Sequence, residues 1–310
     1  MKVVVDIYGG DNAPNAIIDG CVLSLNSRKD FDIVMVGKVD EIKSYLATCA
    51  VDMTRIELVN ADEVISCEES PTVAVRTKKN SSLVVALDIT KNDDDVIGLV
   101  SAGSTGAVLT GATLKIGRIQ GVARPALAPL LPTLNPTQKV LLIDCGANVD
   151  CKPNMLLQFG QMGSAYMKSV FGITSPKVGL LCNGTEEHKG NELTHEAFAL
   201  LKSSRLNFVG NMEARDILSG NYDVVVADGF AGNVALKSCE GTAGLMMSLL
   251  KEKMTSSFVR KLAAAVLKPA FREVKNVMDY NKSGGAPFIG VEKLVIKSHG
   301  SSKAGAICGS

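Results

Sequence analysis

The sequence predicts an α/β fold: a three-layer α/β/α sandwich around a mostly parallel sheet. Two observations carry the prediction. Short Val/Ile/Leu runs recur along the 310 residues and alternate with segments whose apolar residues fall at helical spacing. Polar, glycine-containing loops directly follow five of these runs. Continuous apolar strands, rather than alternating ones, belong to sheets covered by helices on both faces.

The elements follow in order. Val3–Ile7 is the first strand; GGDNAP (9–14) leads from it into a helix over Ala13–Lys29. Ile33–Val36, Ile56–Val59 and Val96–Val100 are the next strands, the last followed by SAGSTGA (101–107). The uncharged run 96–114 contains four glycines and several hydroxyls, so it reads as strand, loop and helix start rather than a membrane span. Arg124–Lys139 holds four of the ten prolines, which favours an extended crossing between two lobes. Val140–Ile143 leads to DCGANVDCKP (144–153) and a helix over Pro153–Gly172. Val178–Leu181 opens into NGTEEHKGNEL (183–193), and Val224–Ala227 into DGFAGNV (228–234). Gly241–Tyr280 is a long helical stretch without a strand, interrupted at Pro269. An excursion of that kind serves as an interface or a lid.

Composition removes several function classes. Net charge is +1, Trp is absent and aromatics make up 5%, so neither a global field nor stacking platforms for nucleic acid are present. The eight cysteines (Cys21, Cys49, Cys67, Cys145, Cys151, Cys182, Cys239 and Cys308) are scattered, without a C-x-x-C pair. They read as small core residues in a reducing compartment. MKVVVDIYGGD at the start has no apolar region of signal-peptide length, and the expected location is the cytoplasm. There is no G-x-G, no P-loop and no G-x-S-x-G elbow. Three distant histidines and acidic residues without metal-loop spacing predict neither metal nor cofactor.

In open α/β sheets the loops at the carboxyl ends of strands line the ligand crevice. Five such loops, rich in Asn, Asp, Ser and Thr, predict one shared site for a small polar or anionic group. Gly103, Ser104, Thr105 and Gly106 open a helix and offer N–H groups and hydroxyls to an oxyanion such as phosphate. Turn geometry alone explains any single one of these glycines. The charged cluster at 186–192 is likewise open to two readings: a working site, or a solvated, capped helix terminus.

A resemblance narrows the choice. DIYGGDNAP (6–14), SAGSTGA (101–107), RPALA (124–128), GANVDCKP (146–153), NGTEEHKGNEL (183–193), DGFAGNVALK (228–237), GGAPFIGV (284–291) and IKSHGSS (296–302) occur in this order. Together they closely resemble the bacterial phosphate acyltransferases, acyl-[acyl-carrier-protein]:phosphate transacylases of phospholipid synthesis. Tyr8, Cys145 and Ser283 depart from the family pattern, and only KAGAICGS follows Ser302, where the family usually continues into a further helix.

The resemblance implies a fold like that of the isocitrate and isopropylmalate dehydrogenases, with two intertwined lobes in one catalytic domain, one large mixed sheet and a homodimer. It also implies attack of inorganic phosphate on the thioester of a long-chain acyl-carrier protein. Lys189 and Asn233 match the family's catalytic pair. Glu186 and Glu187 are expected to orient Lys189. Gly10, Asp11, Ser101, Gly103, Ser104, Thr105, Gly106, Asn148, Asn183, Asp228, Gly229 and His299 complete the expected substrate and phosphate site.

Within Gly241–Tyr280, Phe258, Leu262 and Val266 fall four apart, as do Val259, Ala263 and Leu267, with Arg260, Lys261, Lys268 and Arg272 beside them. A basic amphipathic helix fits an anionic bilayer, an acidic partner, or a dimer interface with a solvated face. The resemblance raises peripheral contact with the inner face of the cell membrane and docking of the acidic carrier protein. Two rival readings fare worse. A metal- and NAD-dependent decarboxylating dehydrogenase needs clustered acidic ligands and arginines that are not evident. A membrane scaffold built around 245–280 leaves five polar loops unexplained.

Overall fold

The computed structural model describes residues 1–278 and 284–310. Asp279 and Tyr280 of the predicted helical stretch, and Ser283, lie outside the described residues. The strands are β1 (Lys2–Asp6), β2 (Asp32–Gly37), β3 (Ile56–Asn60), β4 (Val96–Ser101), β5 (Ala126–Leu127), β6 (Leu130–Pro132), β7 (Lys139–Ile143), β8 (Lys177–Cys182), β9 (Asn207–Glu213), β10 (Val224–Val226), β11 (Ala286–Ile289) and β12 (Leu294–Lys297). The helices are α1 (Asn15–Ser27), α2 (Val39–Leu46), α3 (Pro71–Thr77), α4 (Ser82–Asn92), α5 (Thr105–Gly111), α6 (Pro153–Phe171), α7 (Glu192–Ser203), α8 (Gly229–Met254), α9 (Phe258–Met278) and α10 (Ala304–Cys308).

The chain divides into two compact units, Met1–Pro129 with Asn281–Ser310, and Leu130–Tyr280. The boundary falls inside the proline-rich stretch. Pro129 separates β5 from β6 and lacks the N–H that a continuous strand would need.

The mixed, mostly parallel arrangement that the resemblance implied is present, divided between two sheets. The strands build two sheets, seven-stranded in the order β3-β2-β1-β4-β12-β11-β5 and five-stranded in the order β6-β7-β10-β8-β9. The first is parallel from β3 to β12 and turns antiparallel at β11 and β5. The second is parallel except for β6 on β7. Its central strands are apolar throughout: Val140–Ile143 and Val224–Val226 are fully buried, as expected of strands covered on both faces. In the first unit Ile7, Ile17, Ile18, Leu25, Met35 and Ile42 pack into one core on β1 and β2.

The helical excursion also differs from expectation. The break lies at Thr255–Ser257, between α8 and α9, and Pro269 sits inside α9. Thr255 turns its hydroxyl back onto the Lys251 carbonyl at 2.8 Å, and Ser257 Oγ accepts the Arg260 N–H at the start of α9. Hydroxyls that bond the nearby backbone compete with helix continuation, so this Thr-Ser-Ser run ends one helix and starts the next. Pro269 costs one backbone hydrogen bond in an exposed turn, where water can serve the freed carbonyl.

Candidate active site

The five loops gather at the carboxyl ends of their strands, in two clusters, one in each unit. In the first unit the loops after β1, β4 and β12 interlock. Asp6 ends β1 fully buried and accepts the Ser101 hydroxyl at 2.7 Å; Ser101 Oγ in turn accepts the Gly103 N–H at 3.1 Å. Gly10, at φ +97°, brings its backbone so close that a Cβ would lie 2.9 Å from Ala102 Cβ and from the Gly300 carbonyl oxygen. No other residue fits there. Asp11 donates its N–H to that same carbonyl at 2.8 Å, and Asn12 donates to the carbonyls of Ser301 and Ser302. His299 is exposed and shares a 2.8 Å hydrogen bond with Ser301. Ser104 precedes α5 without using its hydroxyl as a cap, and Thr105 and Gly106 form the first turn.

Burial pushes the Asp6 carboxyl above its ordinary range, while the Ser82 and Ser101 hydroxyls and the charge of Lys297 pull it back. Lys297 is itself buried and donates to the carbonyls of Ala102 and Ser298.

The second cluster joins the loops after β7, β8 and β10. Asp144 is fully buried and holds the loop that follows: its carboxylate accepts the Asn148 N–H at 2.6 Å and the Asn148 side-chain amide at 2.9 Å. The Asn148 carbonyl takes the Gly229 N–H at 2.7 Å. Asp228 caps α8, accepting from Phe230 N–H at 3.0 Å and Ala231 N–H at 2.8 Å. A Cβ on Gly229 would lie 2.6 Å from the Asn148 carbonyl oxygen, and one on Gly232 only 1.9 Å from that of Asp144. These contacts set the start of α8 against the 144–148 loop. Asn148, Asp228 and Gly229 thereby spend these groups on holding the loops in place.

Asn233 is what that scaffold presents. It is exposed, makes no side-chain hydrogen bond among the described residues, and lies 3.6 Å from where a Gly146 Cβ would be. Lys189 is its counterpart on the 183–190 loop. Its stem folds across Gly184, and its ammonium has no ion pair among the described residues. Glu186 sits beside it over Gly184, and the Glu186 carbonyl accepts both the Lys189 N–H at 3.0 Å and the Asn211 side chain at 2.9 Å.

Glu187 does not orient Lys189. It pairs with Lys202, near the far end of α7, at 2.8 and 3.0 Å. A carboxylate met by a cation fifteen residues along the chain is a tertiary contact that loop spacing alone could not reveal. Gly190 at φ +114° then turns the chain into Asn191, whose side chain accepts Thr194 N–H while Thr194 Oγ1 accepts Asn191 N–H. This reciprocal cap starts α7. His188 and His195 are exposed neighbours, joined through His195 Nε2 and the His188 carbonyl.

An open groove of about 920 Å³ lies between the 183–191 loop, which carries Lys189, and α8, which carries Asn233 near its start. Asn183, Gly190 and Asn191 form one lip, Asp228 and Phe230 the other, and it runs on along α8 to Met246. The sequence reading missed this face of α8, although 230, 234, 238, 242 and 246 recur at the four-residue spacing that marks one side of a helix. It also missed Asp6 and Asp144, each the acidic residue that closes an apolar strand run.

On α9 the apolar set stands in solvent: Phe258 is 76%, Leu262 57% and Val266 79% exposed. Arg260, Lys261, Lys268 and Arg272 are exposed beside them. No described helix is long and apolar enough to cross a membrane. Among the described residues no group of three or more His, Cys, Asp or Glu could hold a metal ion. The cysteines are free thiols; Cys21 and Cys145 are buried and Cys67 is exposed. Burial pushes the Cys21 and Cys151 thiols up to about 12, which leaves neither as a thiolate nucleophile near neutral pH.

Comparison with known proteins agrees with this geometry. Residues 1–310 match the family model described as "Fatty acid synthesis protein". A phosphate acyltransferase of Clostridium perfringens is 48% identical over 307 residues, covering 99% of this chain and 90% of that relative. One of Bacillus pumilus is 49% identical over 308 residues, with 99% and 91% covered. Among solved structures, a phosphotransacetylase from Streptococcus pyogenes superposes with a TM-score of 0.65 at 16% identity, covering 99% of this chain and 91% of its own. A 4-hydroxythreonine-4-phosphate dehydrogenase from Klebsiella pneumoniae gives 0.54 at 13%, with 100% and 97% covered. These two show the fold. The chain belongs to the fatty acid synthesis protein family and, within it, to the phosphate acyltransferases, enzymes of acyl transfer to phosphate.

Proposed function

We propose that the chain transfers a long-chain acyl group from an acyl-carrier-protein thioester to inorganic phosphate, giving acyl phosphate and free carrier for glycerophospholipid synthesis. One observation supports this above the others. Lys189, on the 183–190 loop, and Asn233, near the start of α8, are exposed donors on the two elements that border one apolar groove, and a rigid hydrogen-bonded scaffold presents Asn233.

Phosphate is itself the nucleophile. Its oxygen attacks the thioester carbon, the carbonyl oxygen becomes an oxyanion, and collapse breaks the C–S bond and releases the carrier's thiolate. No acyl-enzyme is needed. Catalysis then rests on positioning and on donors aimed at the developing charge. Lys189 supplies a compact cation for phosphate, oxyanion or leaving thiolate, and Asn233 a neutral amide hydrogen bond. Within the second unit the phosphate is assigned to the polar loops that carry Asn183, Glu186 and the Asp228–Gly229 turn.

The working form is a homodimer in the cytoplasm, and α9 serves as a peripheral contact for an anionic membrane and for the acidic carrier. The test is direct. Purified protein incubated with acyl-carrier-protein thioester and phosphate should release acyl phosphate and free carrier, before and after dialysis against a chelator. Release of free fatty acid instead, or no release, would sink the reading.

A further inference from the structure

We infer that the groove along α8 is the subsite for the hydrocarbon chain of the acyl donor, an inference that rests on the functional reading above. Its near end lies between Asn183, Gly190 and Asp228, beyond the carboxyl ends of β8 and β10, where ligands of open α/β sheets bind. Gly190, the neighbour of Lys189 on its loop, lines the groove, while Asn233 faces the 144–148 loop from the start of the same α8 helix. An acyl carbon held at the Lys189 loop therefore has the groove as its apolar continuation.

The lining beyond the mouth is apolar or small: Ala231, Val234, Ser238 and Thr242 form part of the α8 wall, and Leu218 stands opposite. The charged lining residues are Asp228, which caps α8, and Arg215, which pairs with Glu213. The rest of the lining is uncharged and accommodates an uncharged tail. From Phe230 to Met246 the helix advances about 24 Å at 1.5 Å per residue, the reach of an extended long-chain acyl group.

Met246 lies at the far end, half exposed, and is the candidate length stop. Ser238 and Thr242 are exposed side chains of the wall, so enlarging either should narrow the groove without disturbing the core.

Two readouts test the assignment. The first is displacement of a fluorescent long-chain fatty acid by unlabelled saturated fatty acids of graded length, which needs no turnover. Affinity should rise about fourfold per added methylene until the groove is filled. Ser238→Phe and Thr242→Phe should flatten that series, with a loss of about tenfold or more for the longest chains. Met246→Ala should move the plateau to longer chains, which covers the case in which a Phe variant fails to fold. The second readout is the same series as acyl-carrier-protein thioesters, where the long-chain advantage in KM should collapse in the Phe variants.

Absence of acyl phosphate from every thioester would reject the functional reading, while the binding series would still decide the groove. A wild-type series without length dependence, or Phe variants that keep it, overturns the inference. So does loss of the dimer in sedimentation with an unaltered length profile, which would make the groove an interface between copies.

Discussion

The two loop clusters use similar residues for opposite ends. In the first unit Asp6 Oδ2, Ser101 and Gly103 are linked in a buried chain, with Asp6 Oδ1 left without a hydrogen-bond partner among the described residues, and Gly10, Asp11 and Asn12 tie that chain to the loop after β12. In the second unit Asp144, Asn148, Asp228 and Gly229 form a similar framework, yet Lys189 and Asn233 are left exposed without side-chain partners among the described residues. Donors already bonded hold geometry; donors kept free are available to a substrate. Motif content does not separate these groups, since Asn148 and Asn233 are the same residue type, one on the loop after β7 and one near the start of α8. Their hydrogen bonds do.

That contrast can be broken most sharply at Asn233. Asn233→Ala should lower kcat by about 10²–10³, the usual effect of removing one preorganised donor to a developing oxyanion, while the melting temperature holds. Near-full turnover in a folded variant would move Asn233 into the framework.

Next in size is the α9 surface, where each charge near an anionic membrane contributes about 1 kcal/mol, screened within a Debye length. Reversing Arg260, Lys261, Lys268 and Arg272 should raise KM for the carrier, with an effect that fades at high salt. Replacing Phe258, Leu262 and Val266 with Ser should release the protein from anionic liposomes while turnover in solution survives. Unfolding or loss of the dimer would instead make this helix interface core.

Gly190→Ala probes the framework itself. At φ +114° an added Cβ would lie 2.1 Å from Thr194 Oγ1, so the cap of α7 must shift, at a cost of about 1–3 kcal/mol seen in thermal melting.

The smallest effect expected is at Asp6. Its folded carboxyl titrates above the unfolded value, so the folded state binds the proton more tightly. Stability should therefore fall as pH rises from the ordinary carboxylate range towards the raised value. Asp6→Asn should flatten that fall; a melting profile whose pH dependence is unchanged would remove Asp6 from the account.

Much of this was legible in the sequence. The seven apolar runs all became strands, most clearly at β2, β7 and β10, where burial on both faces demands unbroken apolar character; β3 is a half-exposed edge strand of its sheet. β9, with Gly210 and Asn211 in its seven residues, lacks that character and was not predicted. β5 and β6 are two- and three-residue pieces among prolines, too short to leave a periodicity. The site loops were visible as motifs, but the role of each side chain depended on contacts between them. The pairing of Glu187 with Lys202 exists only once α7 is placed against the loop. Pro269 misled for a related reason: its disruption is local and solvent-served, whereas the hydroxyl run at 255–257 ends α8 through its own backbone bonds.

The central claim is that the free cation of the 183–190 loop performs the chemistry while the paired charges around it hold the fold. Turnover of Lys189→Ala and Lys202→Met, measured side by side with acyl-carrier-protein thioester and phosphate, tests it most directly. Lys202→Met breaks the exposed pair with Glu187 and should leave kcat close to wild type, whereas Lys189→Ala should lower it by about 10²–10³ with its fold intact. Equal losses in the two variants, or a folded Lys189→Ala protein that turns over normally, would contradict the account.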